Sequence, residues 1–453
     1  MIKKPPKSGA DLMNPWHQVL AQSPELIAKY MSYLNPVDSK ARYLPYDEFQ
    51  YRVDKGIDPT IAWQLCRHSR RTHQILLLDV GENQVKSSFY LTSIIQKAVS
   101  YSDRYATNSS LELMSNKIGE SHHFKYLLND LMEDESISSS QLEGAATTTK
   151  IAKSLIKHGR KPRTIDERMI LGNFKMMNFA WEKRDEDLSV DLIQGMHKIG
   201  TEGINNDKYF PGAFRQNNDV YVADRDGEVL HIPPSYKGLT TRINNICSWI
   251  NKTHDSLDST TYLHPLIKAI TLHFLIGYEH PFQDGNGRVA RALFYWYMFK
   301  HNFAAFRYIA VSTLLKKAPS SYANSYLHTE HDELDMTYFL DYQCSIIIRA
   351  ITEFNCAFEN ALKQEEKFTQ WLWKSGLYKK LSEKQRVVFQ VARDSAFSDF
   401  TVSNVKTNLS CSYNTAAKVM NDLVDLGLFT KTKGKKEWVY NIVDQKNLMA
   451  SWS

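Results

Sequence analysis

A chain of 453 residues with 43% apolar and 23% charged residues has the composition of a soluble globular protein of two or three domains, and no apolar run approaches a membrane span. The net charge of +6 is mild at this length, so charge alone makes no case for a nucleic-acid or membrane-surface protein. Five cysteines (Cys66, Cys247, Cys344, Cys356, Cys411) are odd in number and in no metal-ligand spacing, which excludes a disulfide scaffold and reads as reduced thiols.

In chain order, Pro5, Pro6, Pro15, Pro36 and Pro45 break the start into short pieces, followed by helical stretches such as 59–75. The cluster Arg67, His68, Ser69, Arg70, Arg71 reads as a solvated helix face, and no chemistry is assigned to residues 1–95. From 89 to 156 the pattern is helical, with Leu127, Leu128, Leu131 and Met132 as an apolar stripe and Gly144 placed to end that segment. Residues 189–200 form another helix behind a Ser189 cap. Two apolar runs, Val220-Tyr221-Val222 and Val229-Leu230-His231-Ile232, then flank Asp226-Gly227, a hairpin signal in an otherwise helical chain. Residues 263–278 are apolar nearly all round, as a central buried helix is, with His264 and His273 as packed core histidines.

That helix runs into His280-Pro281-Phe282-Gln283-Asp284-Gly285-Asn286-Gly287-Arg288-Val289-Ala290-Arg291. Gly285, Asn286 and Gly287 fall at a loop-to-helix junction, where free backbone N–H groups and the positive end of a helix dipole can hold phosphate oxygens. Arg288 and Arg291, three apart, share the face of the first turn and can add guanidinium contacts. Asp284 is placed to hold Mg2+ (or Mn2+), His280 to act as general base, and Phe282 to pin the loop to the core. Polyphosphate, metal and histidine together imply transfer of a phosphorus-containing group.

The stretch resembles the Fic signature, His-x-Phe-x-(Asp/Glu)-Gly-Asn-Gly-Arg-x-x-Arg, at every fixed position. The resemblance implies a mainly helical Fic core with a β-hairpin flap, and transfer of AMP from ATP to a Ser, Thr or Tyr hydroxyl. His280 would take the proton, Gly285, Asn286 (its side chain included) and Gly287 the phosphate oxygens, and Arg288 and Arg291 the β- and γ-phosphates. Ser139, Glu143 and Gly144 likewise resemble the Fic inhibitory motif, (Ser/Thr)-x-x-x-Glu-(Gly/Asn), which implies that Glu143 restrains the enzyme through Arg291. The hairpin carrying Val220, Tyr221, Val222, Val229, Leu230, His231 and Ile232 would be the flap that pairs with a target segment, without a catalytic role for His231. Residues 334–339 resemble the end of a Fic core, with Asp335 or Thr337 capping a final helix.

From 376 the character changes. Amphipathic 382–391, short 403–408, and a helix behind Ser412 that ends at Gly427 precede a hairpin of 429–433 and 437–442. This order resembles a winged helix with Lys431, Lys433, Lys435 and Lys436 in the wing. From Leu381 on, ten Lys and Arg against seven Asp and Glu give a net of only +3, so DNA binding and protein–protein use both stay open. The expected division is 1–95 as a helical extension, 96–375 as the Fic core with its inhibitory helix, and 376–453 as the winged helix. Expected partners are ATP, a protein substrate, DNA through the winged helix and a second copy in a homodimer, with no membrane and a cytoplasmic location. Three rivals stand beside AMP transfer: another nucleotide donor, removal of AMP with Glu143 positioning water, and a DNA-binding regulator that uses the core as a nucleotide sensor.

Overall fold

The structure is a computed structural model that describes residues 2–6, 15–118, 133–204, 209–223, 227–256, 259, 261–394, 399–434 and 437–443. Leu127, Leu128, Leu131, Met132, Asp226, Lys435 and Lys436 lie outside the described residues. Contacts divide the chain into one unit of Met1–Ala106 with Glu133–Ile351 and another of Thr107–Met132 with Thr352–Ser453. Among the described residues no helix is long and apolar enough to cross a membrane.

Pro15, Pro24 and Pro59 start helices, and Pro45 precedes one. Of α1 (Pro15–Leu20), α2 (Pro24–Met31), α3 (Tyr46–Phe49) and α4 (Pro59–His73), α2 and α4 each open on proline behind a side-chain cap, Ser23 or Asp58. The basic cluster of α4 is not a solvated face. Arg70 is buried, donating from Nε to the Pro36 carbonyl (2.9 Å) and from its other nitrogens to Tyr338 Oη (2.8 Å) and the Leu44 carbonyl (2.9 Å). Nor does the helix reach residue 75. β1 (Ile75–Val80) and β2 (Val85–Phe89) form an antiparallel hairpin turned at Gly81 (φ +72°), where a run of Ile, Leu and Val meets a turn residue. Its edge meets the chain at 335–336, since Met336 N–H donates to the Ser88 carbonyl (2.8 Å).

Then follow α5 (Ser93–Tyr105), α6 (Asn108–Ile118), the helical segment α7 (133–142), α8 (Thr149–His158), α9 (Ile165–Glu182) and α10 (Val190–Thr201). Gly144 (φ +95°) ends α7, with Ala145 N–H reaching back to the Ser140 carbonyl (3.1 Å). β3 (Val222–Ala223) pairs antiparallel with β4 (Val229–His231) across a bulge. After α11 (Leu239–Asn251), α12 (Pro265–Glu279) and α13 (Asn286–Lys300) form the centre, both buried nearly all round, with α13 packed on α12, α9 and α10. His264 caps α12 through Nδ1, and His273 bonds Tyr322 Oη (2.7 Å), so both are core residues with partners. α14 (Val311–Leu315), α15 (Pro319–His331) and α16 (Thr337–Lys374) complete this stretch, and Asp335 Oδ1 rather than Thr337 caps α16 by accepting the Thr337 N–H (3.0 Å).

The second unit has its own core, in which Leu377, Val388, Val405, Met420, Leu423 and Tyr440 are buried. They come from α17 (Glu383–Asp394), α18 (Val402–Asn408), α19 (Tyr413–Asp425, capped by Ser412) and the hairpin β5 (Phe429–Lys433) and β6 (Trp438–Ile442), with neighbouring loops. Phe400 adds a third strand position, exchanging two backbone bonds with Tyr440 (2.8 and 2.7 Å).

The crossing of α9 and α10 is set by two glycines: a Cβ at Gly172 would collide with the Gly200 carbonyl oxygen. That same carbonyl accepts from Arg288 on α13 (3.1 Å). Gly172→Ala should therefore cost about 1–3 kcal/mol of stability by forcing the helices apart, read as a lower denaturant midpoint at unchanged slope.

Candidate active site

α12 ends because His280 turns into the left-handed region (φ +47°), an uncommon conformation for a residue with a side chain, while its N–H still bonds the Ile276 carbonyl (3.0 Å). Burial pushes the imidazole down to about 4, so it is neutral at pH 7. Its Nδ1 lies 3.1 Å from the Gly277 carbonyl, an acceptor only, so Nδ1 carries the proton and Nε2 has the free lone pair.

Phe282 is fully buried, and Asn286 clasps its backbone from both sides: Oδ1 accepts the Phe282 N–H and Nδ2 donates to the Phe282 carbonyl, both at 2.8 Å. The Asn286 side chain thus holds the loop, while its backbone N–H lies in the first turn of α13. Gly285 (φ +87°) starts α13 with no side-chain cap, so the first-turn N–H groups keep their capacity for an anion.

Arg288 is 1% exposed and donates to Gly200, while its Nε and one terminal nitrogen have no hydrogen-bond partner among the described residues. A buried guanidinium with unused donors at a helix N-terminus is an anion site in charge and geometry. Arg291, also buried, is held by α7 and the turn after it. Nε donates to Ser139 Oγ (2.8 Å), and one terminal nitrogen to the Ser139 carbonyl (2.9 Å) and Glu143 Oε1 (2.7 Å). Burial works against ionising Glu143, but Arg291, with Arg288 and His280 behind it, holds its carboxyl below the usual range. The carboxylate lies directly over Gly287, where any Cβ would collide with Oε1. Gly144 follows at the exposed end of the turn.

Burial pushes the Asp284 carboxyl up, while Arg288 and the Gly285 N–H, which bonds Oδ1 at 2.5 Å, pull it part of the way back. Among the described residues no group of three or more His, Cys, Asp and Glu could cage a metal. One carboxylate beside an anion site fits an ion that keeps its waters and completes its shell with substrate phosphates, as Mg2+ does.

Two side chains here carry no motif. His197 on α10 stacks on Phe282 (centroids 3.7 Å, planes 8° apart). It accepts the Gly212 N–H at Nδ1 (3.0 Å), so Nε2 donates to the Asp284 carbonyl (2.9 Å). Arg215 is buried against the loop on the other side and donates from Nε to the His280 carbonyl (2.9 Å). A lone histidine inside a helix and a lone arginine after Pro-Gly-Ala-Phe give no local signal of such contacts.

The β3–β4 hairpin is split in orientation. Tyr221, Val229 and Ile232 are exposed, Val222 and Leu230 half-buried, and Val220 buried. His231 points inward: Nδ1 pairs with Glu330 (2.8 Å) and Nε2 with the Tyr278 carbonyl (2.9 Å). It anchors the hairpin and offers nothing to a docked strand.

Residues 187–298 match the family model described as the Fic/DOC family. The chain is 37% identical over 275 residues to a protein adenylyltransferase Fic of Drosophila yakuba, covering 60% of this chain and 48% of that one. It is 24% identical over 174 residues to one of Nematostella vectensis, covering 38% and 36%. The chain thus spans at most about half the length of these curated relatives. A Fic family protein from Desulfovibrio desulfuricans G20 superposes with a TM-score of 0.48 at 15% identity, over 78% of this chain and 97% of that one.

His280 titrates at about 4 folded against an ordinary 6.5, so between these values the unfolded chain binds more protons. Its contribution to stability is present above pH 6.5 and lost as pH falls towards 4. The buried carboxyls of Asp335 and Asp341, raised to about 6, slope the other way, so the histidine is isolated by difference. The stability change from pH 7 to pH 5 in wild type minus that in His280→Ala should be a loss on the order of 1 kcal/mol, measured by denaturant titration.

Proposed function

We propose, from the premise that the chain carries a Fic domain over residues 187–298, that it transfers AMP from ATP to a Ser, Thr or Tyr hydroxyl of a protein, itself included, under restraint by Glu143. The observation that carries this reading is a neutral base, His280 with Nε2 unprotonated, next to a helix N-terminus where buried Arg288 has two nitrogens without a hydrogen-bond partner among the described residues. The hydroxyl oxygen bonds to the α-phosphorus as the bond to the bridging oxygen breaks, the proton passes to Nε2, and pyrophosphate leaves. The N–H groups of Asn286 and Gly287 and the guanidinium of Arg288 bind phosphate oxygens, and the Gly285 N–H joins them on leaving Asp284 Oδ1. Asp284 would hold a Mg2+ that neutralises charge between phosphates. The exposed residues Tyr221, Val229 and Ile232 line the hairpin against which a target strand would lie.

Glu143 competes for Arg291 and stands over Gly287, so a nucleotide phosphate meets a carboxylate where it needs a cation. Glu143→Gly should raise modification of the chain or its target by about ten-fold or more, and adding His280→Ala should lower it again by roughly 10²–10⁴-fold, read by intact-mass analysis with ATP. Unchanged transfer in a folded Glu143→Gly protein removes the restraint. Loss of an AMP-removing activity in that variant makes Glu143 a water-positioning residue and the chain a hydrolase.

We read the second unit as a winged helix, on the strength of three helices, a hairpin and the Phe400–Tyr440 bridge. Lys418 on α19 and Lys431 and Lys433 on β5 are all exposed, and Lys431 alone of the three is drawn onto Asn421 Oδ1 (2.9 Å) and over the rings of Trp438 and Tyr440 among the described contacts. If this unit binds duplex DNA, affinity should fall steeply between about 50 and 200 mM salt, and Lys418→Ala with Lys433→Ala should lower the salt slope by about two. No anisotropy change with a random duplex pool at low salt leaves a protein partner instead.

A further inference from the structure

A left-handed His280 at the end of α12 needs something to hold its carbonyl, because the last carbonyls of a helix have no partner inside it. Arg215 supplies it. Its backbone N–H donates to the Pro281 carbonyl (2.8 Å), its Nε to that of His280 (2.9 Å), and a terminal nitrogen to that of Glu279 (3.4 Å). Three successive carbonyls of the catalytic loop thus rest on one residue that is 5% exposed.

The rest of the same guanidinium reaches the two arms of the β3–β4 hairpin. It donates to the Asn217 carbonyl (3.0 Å) and Asn218 Oδ1 (3.3 Å) before β3, and to the Pro234 carbonyl after β4. Asn218 Oδ1 also accepts the Tyr236 N–H (2.8 Å), tying the arms together. A second buried pair runs alongside: Arg242 bonds the Glu279 carboxylate (2.8 Å) and the carbonyls of Ser235 (2.6 Å) and Lys237 (3.0 Å). The root of the hairpin and the carbonyl of the base are therefore bound by one planar, permanently charged fork, which lysine with its single nitrogen cannot reproduce.

We propose that Arg215 is a positioning residue that sets the orientation of His280 and couples it to the hairpin, so that a protein strand docked there acts on the base through one guanidinium. This rests on the reading of His280 as the base for AMP transfer. In the full-length chain, Arg215→Lys should lower kcat by about 30-fold, since misplacement of a reacting group by about 1 Å can cost about 100-fold. The Kd for ATP should stay within about threefold, and the imidazole nitrogen resonances of His280 should lose the Nδ1–H pattern. Asn218→Ala, which removes one partner at an exposed position, should shift kcat and resonances in the same direction by a few-fold without threatening the fold. A kcat within threefold of wild type in both variants overturns the proposal. So does an ATP affinity that falls as far as kcat, or His280 resonances that stay put. A His280→Ala protein that keeps its activity would instead sink the functional reading, and the resonances alone would then decide whether Arg215 orients the ring.

Discussion

A guanidinium inside a protein cannot shed its proton, so the fold around it must supply acceptors or leave donors unmet. Three arginines around the 280–287 loop, Arg215, Arg288 and Arg291, are at most 5% exposed, and much of the local architecture follows from how each is satisfied. Arg215 is met by backbone carbonyls, which fixes the path of the loop. Arg291 is met by Ser139 and Glu143, which fixes where α7 and its end lie. Arg288 has one hydrogen-bond acceptor among the described residues, the Gly200 carbonyl, with its guanidinium over the Tyr209 ring, and its remaining donors are left for an anion.

The loop itself is braced by a ring stack and by side-chain hydrogen bonds to its backbone. Phe282 is the pivot, stacked on His197 and bracketed by the carboxamide of Asn286. His197 reaches past it to the Asp284 carbonyl while its other nitrogen takes the Gly212 N–H, so one neutral ring joins α10, the Pro211–Arg215 turn and the loop. Glycine is required at 285 by its backbone angle and at 287 by the carboxylate lying on it. An anion at this end of α13 would meet the uncapped first-turn N–H groups and Arg288, on a loop held in place by the hydrogen bonds of Asn286 and His197.

What could be read in advance divides along physical lines. The helix of 263–278, the Gly-Asn-Gly junction, the β3–β4 hairpin and the three helices of the second unit were legible, because periodicity, caps and turn residues are local signals. The β1–β2 hairpin was not, since Ile75–Val80 follows within two residues of α4 and only Gly81 hints at a turn. Arg70 gave the appearance of a surface charge because its partners lie 26 or more residues away. The inward turn of His231, the clasp of Asn286 and the roles of His197 and Arg215 have the same origin. Each depends on which backbone carbonyl or N–H the fold brings alongside, and no residue pattern encodes that.

The clasp of Asn286 on Phe282 has a thermodynamic corollary. By pairing with both backbone groups of one residue, the carboxamide acts as a short strand partner and removes the loop's freedom during folding. A ligand arriving at α13 finds the N–H groups already aligned, so little configurational entropy remains to be lost on association. Its binding to this loop would then carry a small heat-capacity change and a favourable enthalpy, the signature of a rigid polar seat rather than of a loop that folds around its guest.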